Sequence, residues 1–170
     1  MSALNRNPEN TNLLQPTKFL LTFSRIATTQ YFCQSVNIPS ISLGEVDRVT
    51  PFLDLYSPGT KLTYEPLDIS FIIDEELQSW KNLYDWFISI ADPDGFGGRT
   101  ANRELQQQKY FSDATLTILS ALNNPILRID FTNVFPLTMS SIDFDTRLSA
   151  DTVVTCNATF RYQSYKYLTI

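Results

Sequence analysis

From Val153 to Tyr162 the sequence alternates residue by residue. Val154, Cys156, Ala158, Phe160 and Tyr162 fall on one side, and Val153, Thr155, Asn157, Thr159 and Arg161 on the other. A period of two with one polar face describes a strand in an antiparallel sheet that buries one side only. Segments 127–132 and 141–145 repeat the pattern, so the C-terminal third reads as three such strands. The polar face of this sheet must then meet water, a lumen or a partner.

The remaining strands follow from the same pattern. Phe19, Leu21 and Phe23 share a face within 18–23, and 30–36 is a second extended stretch. The short connection 25–29 predicts that these two strands pair as a hairpin. Residues 67–73 place Leu67, Ile69, Phe71 and Ile73 in register, and the ambiguous apolar segment 111–122 leans towards a strand by its Thr and Ile content. Between them the period changes. Leu77, Trp80, Leu83, Tyr84, Phe87 and Ile90 recur at three- and four-residue steps, which predicts an amphipathic helix ending near Ala91. Asp74 is the expected N-cap, with Glu75 and Glu76 in the first turn. Packing of the stripe against the sheet sets an expected cost of roughly 3–5 kcal/mol for Trp80→Ala or Phe87→Ala. The fold class is therefore mainly β, an antiparallel β-sandwich or barrel with one flanking α-helix. At 170 residues and 43% hydrophobic content, one domain accounts for the chain.

Three segments depart from regular patterning. Residues 1–15, rich in Asn and Pro, read as a flexible arm preceding a domain over 16–170. Residues 41–66 read as a long hairpin with its turn at Pro58-Gly59. Its apolar residues exceed the needs of a solvated loop, so it is either an ordinary surface hairpin or one that reaches a neighbouring subunit. Residues 92–109 form a polar loop with Gly95, Gly97 and Gly98, and 103–109 has the composition of a short helical turn.

Chemistry finds little support. The chain has no histidine, so neither a Ser-His-Asp nor a Cys-His system exists within it, and two cysteines cannot make a four-ligand cysteine and histidine zinc site. Cys33 and Cys156 read as buried thiols, although a bridge is geometrically conceivable. Asp92 and Asp94 resemble a calcium loop only superficially, since Phe96 and Gly98 follow them and the twelfth position is Arg103. The GFGG run lacks the Lys-Ser/Thr of a phosphate loop. Of the carboxylate groups, Asp74/Glu75/Glu76 suit helix capping, and Asp143/Asp145 lie on a polar strand face where their role is electrostatic. With 13 basic and 18 acidic residues the formal charge is -5, which argues against a general nucleic-acid-binding surface. The polar N-terminal stretch is not a signal peptide, and no apolar run is long enough for a membrane helix.

Taken in order, these segments resemble the tail tube proteins of contractile-tailed bacteriophages, and more broadly the tube proteins of contractile injection systems. The likeness runs over roughly residues 13–167. It rests on the strand 67–73 leading into acidic 74–76, on Trp80 and Asp85-Trp86-Phe87, on the Phe135-Pro136 corner, on 142–145, and on 155–162. The resemblance implies hexameric rings whose inner strands close a shared 24-stranded barrel, stacked into a tube that guides sheath assembly and conducts DNA through an electronegative lumen. By correspondence, 45–64 contacts the neighbouring ring, with Phe52, Leu53 and Leu55 as the contact candidates. Asp143, Asp145, Thr155, Asn157, Thr159 and Arg161 are candidates for the lumen or for an assembly face. Implied partners are further copies of the chain, sheath and baseplate proteins, and DNA in passage, with no membrane insertion. No catalysis and no cofactor are implied. The implied location is the virion tail, assembled in the host cytoplasm. The unusually polar first 12 residues and the loop 92–109 leave a tube initiator or terminator ring as the alternative. A small-ligand binding β-module is the alternative of another class.

Overall fold

A computed structural model describes residues 12–26, 32–91, 110–147, 149 and 152–170. The expectations for residues 1–11 and for the loop 92–109 lie outside the described residues. Among the described residues, nine strands and one helix follow in the order β1 (Phe19–Phe23), β2 (Cys33–Val36), β3 (Ile41–Arg48), β4 (Leu55–Tyr64), β5 (Leu67–Ile72), α1 (Gln78–Ile90), β6 (Ser112–Leu119), β7 (Pro125–Met139), β8 (Thr155–Arg161) and β9 (Ser164–Thr169).

Two four-stranded layers share β7. Its first part pairs with β6 and β9, and β6 pairs with β1. Its last part, from Phe135 to Met139, pairs with β8, which continues to β5 and β2. The register explains the construction. Residues 127–132 of β7 face 169–164, and Phe135 and Pro136 face Arg161 and Phe160. β8 and β9 are thus one extended chain antiparallel to β7, and the pair of strands bends as a unit into both layers. At the bend Asn133 adopts a left-handed backbone, φ 54. The Phe135-Pro136 corner is therefore a change of layer within a continuous strand. Proline is tolerated there because that part of β7 has a ladder on one side only.

The two layers bury one core. Leu21 and Phe23 of β1, Leu67, Ile69 and Phe71 of β5, Ala114 and Leu116 of β6, Ile129 and Phe131 of β7, and Cys156, Ala158 and Phe160 of β8 are all buried. Phe23 and Phe160 meet across the layers with ring centroids 4.9 Å apart. The inward set in β8 is the one its alternation predicts.

Helix α1 closes one side of this core, with its deepest face rotated from the centre of the predicted stripe. Ser79, Leu83 and Trp86 are inward. Trp86, 1% exposed, packs on Phe160 at 5.9 Å, donates its indole N–H to Tyr110 O at 2.9 Å, and carries the Arg25 guanidinium over its ring. Trp80 instead stacks on the exposed Tyr84 at 5.3 Å. The fully buried tryptophan is Trp86, while Trp80, Phe87 and Ile90 of the predicted stripe are partly buried against the core. A turn from Asp74 to Leu77, φ 53, delays the first helical residue to Gln78. The Asp74 carboxylate still reaches the helix, accepting from Gln78 N at 3.0 Å and Ser79 N at 3.2 Å. Slight burial raises its pKa, but these amides outweigh that and hold the carboxyl below its ordinary value.

Two further expectations are corrected. β1 and β2 do not pair; they lie at opposite ends of the strand order. Residues 141–145 are not a strand, because both edges of β8 are already taken by β7 and β5 and leave the segment no partner. β9 is a strand that the alternation of 153–162 did not announce. The thiols of Cys33 and Cys156 are both free; Cys156 is buried and Cys33 half-buried. Cys33 pairs with Phe71 and Phe71 with Cys156, so two strand spacings, about 9–10 Å, separate the cysteines, beyond the roughly 7 Å a disulfide spans.

Candidate assembly surface

β3 and β4 pair only with each other and form a two-stranded arm. Its turn lies at 49–54, where Leu53 N donates to Thr50 Oγ at 3.1 Å and the Thr50 hydroxyl donates to Leu53 O. The predicted turn at Pro58-Gly59 is instead an irregularity inside β4, because Pro58 stays in the ladder opposite Glu45 while Gly59 lies in the register shift against Gly44. Leu43 pairs with Leu62 but Glu45 pairs with Pro58, so β4 spends two extra residues at this point. The backbones approach so closely that a Cβ on Gly59 would lie 2.6 Å from Gly44 O.

The irregularity divides the arm into two halves with opposite apolar sides. Directly paired residues share a face. Towards the root, Ile41↔Tyr64 and Leu43↔Leu62 put four apolar residues together. Beyond Gly44 the same face carries Glu45↔Pro58 and Asp47↔Tyr56, while Val46↔Ser57 and Arg48↔Leu55 occupy the other. The tip adds Val49, Phe52 and Leu53. Phe52 is 98% exposed, and Leu53 and Leu55 are also exposed. A two-stranded ribbon with this much uncovered apolar surface is marginal in water by itself, so the arm has the character of an interaction element.

Its root is firmly held. Tyr64 packs against Tyr162 and Tyr165 with centroids 5.9 and 5.3 Å away, and Phe131 lies against both of these tyrosines. The Tyr162 hydroxyl donates to Glu65 O at 2.8 Å, and the Tyr165 hydroxyl to Pro39 O at 3.1 Å. Glu65 N closes the base onto Ser40 O, and Arg161 reaches Tyr64 O at 3.2 Å. Burial first, then the neighbouring Tyr165 and Tyr64, pushes the Tyr162 phenol up to about 12.

The other candidates separate into two groups. Thr155, Asn157, Thr159 and Arg161 stand together on the outer side of β8. In register beside them on β5 are Ile72, Ser70 and Asp68, and Ser35 of β2 adjoins Ser70. Thr159 donates to Asp68 at 2.7 Å. The face is mainly hydroxyl and amide, with Asp68 and Arg161 of opposite charge. Asp143 and Asp145 are not on it. They lie exposed in the irregular connection between β7 and β8, beside Phe144, which is 81% exposed. Arg147 grips both carboxylate oxygens of Asp145, its closest contact 2.8 Å, and holds that carboxyl below its ordinary pKa. Sequence reasoning missed the root tyrosines as a group. The signal was the pair Tyr162 and Tyr165 flanking Gln163-Ser164, directly after the long alternating strand.

No cluster of metal-ligating side chains occurs among the described residues. What the fold exposes is surface for protein contacts: an apolar arm, a polar sheet face and open strand edges. That is the build of a self-assembling structural subunit. A family model described as phage tail tube protein matches residues 14–168, and the chain belongs to that family of structural, non-enzymatic proteins. Among curated proteins it is similar to the tail tube terminator protein of Enterobacteria phage T4, 28% identical over 162 residues, covering 91% of this chain and 89% of the relative. Among solved structures it is similar to a chain of the anti-feeding prophage baseplate, with TM-score 0.65, 13% identity, and coverage of 94% of this chain and 97% of that one. It is equally similar to the anti-feeding prophage tube-terminating cap, with TM-score 0.65, 12% identity and full coverage of both chains. At such identity the two structures show a shared fold alone.

Proposed function

We propose that this chain forms a ring that terminates a phage tail tube. The observation that carries the reading is the likeness to the T4 terminator along nearly the whole of both chains. In this reading six copies form the ring, each contributing the layer β7-β8-β5-β2. Its open edges at β2 and at the end of β7 join neighbouring copies, which removes edges a lone subunit leaves bare. Six layers of four strands give the shared 24-stranded barrel. Thr155, Asn157, Thr159 and Arg161 then line the lumen, where a hydroxyl-rich wall with offsetting charges lets DNA pass without strong binding. Asp143 and Asp145 sit at the rim. The arm, through Phe52, Leu53 and Leu55, seats the ring on the adjoining tube ring, and sheath or baseplate components meet the outer surface. The location is the virion tail, after assembly in the host cytoplasm.

A second reading, the repeating tube subunit, is favoured by the family description itself. The two separate when purified protein is added to elongating tubes. A terminator arrests growth at amounts far below the tube subunit, whereas a tube subunit lengthens the tubes.

A further inference from the structure

The arm's direction is set by residues that the arm does not contain. Its two ends, at Pro39 and Glu65, are bound by the phenols of Tyr165 and Tyr162 at 3.1 and 2.8 Å. Both tyrosines flank the bend at Gln163, which hydrogen-bonds across to Asn133 at 2.5 Å. Tyr64, the last arm residue, packs edge-on to Tyr165. Asn37 adds a clamp: its side chain reaches Pro66 O at 3.3 Å and accepts from Asp68 N at 2.8 Å. Among the described residues no body strand pairs with the ribbon past this root, and these contacts fix its pose there.

From this geometry we infer that Tyr162 and Tyr165 are positioning residues for assembly, holding the free subunit's arm in the direction in which it meets a second copy of the chain or a tube ring. An arm oriented before contact loses less freedom on binding than one free to swing. The bend, which gives the fold its two layers, is thereby also the part that aims the arm. The inference rests on the arm contacting a neighbouring ring, but its first measurement does not.

The test compares Tyr162→Phe/Tyr165→Phe with the unaltered root, in a C33S/C156A background labelled through Asp47→Cys on the arm and Asp113→Cys on β6. Phenylalanine keeps the rings and removes the hydroxyls. Electron–electron spin distances in the isolated subunit are expected to spread at least about twofold, and the concentration needed for seating on tubes to rise roughly 3- to 10-fold. Thr115→Val, which removes a hydrogen bond to Asp130 that is not part of the arm root, is the stability control and is expected to change neither. Should the double variant fail to fold, Tyr165→Phe alone gives the same readings with a smaller spread. A distance distribution as narrow as the parent's overturns the inference, as does a broad one with unchanged seating. Normal seating after polar substitution of Phe52, Leu53 and Leu55 would instead remove the proposed role of the arm, while a widened distribution would still stand.

Discussion

Asn133 and Gln163 face each other at the point where one pair of strands leaves the first layer for the second, Asn133 Nδ2 donating to Gln163 Oε1 at 2.5 Å. Gln163 N also donates to Thr132 O at 3.0 Å, so the outer strand follows the inner one through the bend. The bend needs φ 54 at Asn133, a left-handed conformation that asparagine and glycine accept and β-branched residues resist. Asn133→Val is expected to lower unfolding free energy by about 1–2 kcal/mol more than Asn133→Gly, measured by urea denaturation.

Trp86 and Trp80 supply a contrast within one helix. Trp86 is enclosed and hydrogen-bonded, so Trp86→Ala should cost roughly 3–5 kcal/mol. Trp80 is half-buried and stacked on an exposed Tyr84, and Trp80→Ala should cost about 1–2 kcal/mol. Equal losses in the two variants would contradict the helix orientation.

The two arm glycines differ in what a methyl group would meet. At Gly59 it would collide with the Gly44 carbonyl, whereas at Gly44 the nearest atom, Lys61 O, is at an ordinary 3.6 Å. Gly59→Ala is expected to disrupt the arm, seen as rapid amide exchange confined to β3 and β4. Gly44→Ala should leave exchange there within about twofold of the parent.

Alkaline pH should loosen the arm root first. Tyr162 keeps its proton to about 12 in the folded chain, against an ordinary value of 10.0, so unfolding releases a proton between those values. Its contribution is complete below pH 10 and falls as pH rises through about 12. Tyr162→Phe should flatten the stability loss in that window, measured by thermal denaturation at stepped pH.

Much of this architecture was legible because burial writes itself as alternation. The inward set of β8 and of β5, the polar row Thr155 to Arg161, and the existence of α1 all follow from one-sided packing. The missed features depend on what lies across from a segment. The alternation of 141–145 lacks a strand edge to join, Pro58-Gly59 has turn chemistry but is carried through by a partner strand, and the bend at Asn133 has meaning only opposite Gln163. The helix face was read in part: Leu83 is buried and Trp80, Phe87 and Ile90 pack partly buried against the core, but Ser79 and Trp86 lie deepest beside Leu83. Of the candidate site, the exposure of Phe52, Leu53 and Leu55 was anticipated by apolar content, whereas the clamp of Tyr162 and Tyr165 joins segments about a hundred residues apart.

Polar replacement at the arm tip isolates the contact function from the fold. Phe52→Ser, Leu53→Ser and Leu55→Ser together remove apolar groups that touch no core, so unfolding free energy should change by less than about 1 kcal/mol. Seating on tubes should be lost, read as failure to co-sediment with them.

The proposal that this chain closes the end of a tube is tested most directly by where it sits in a tail. Tails carrying a gold-binding tag on the chain should show the label at one end of the tube in electron micrographs, one ring of it per tail. Label repeating along the tube's length would contradict the terminator reading and make the chain the tube's repeating subunit.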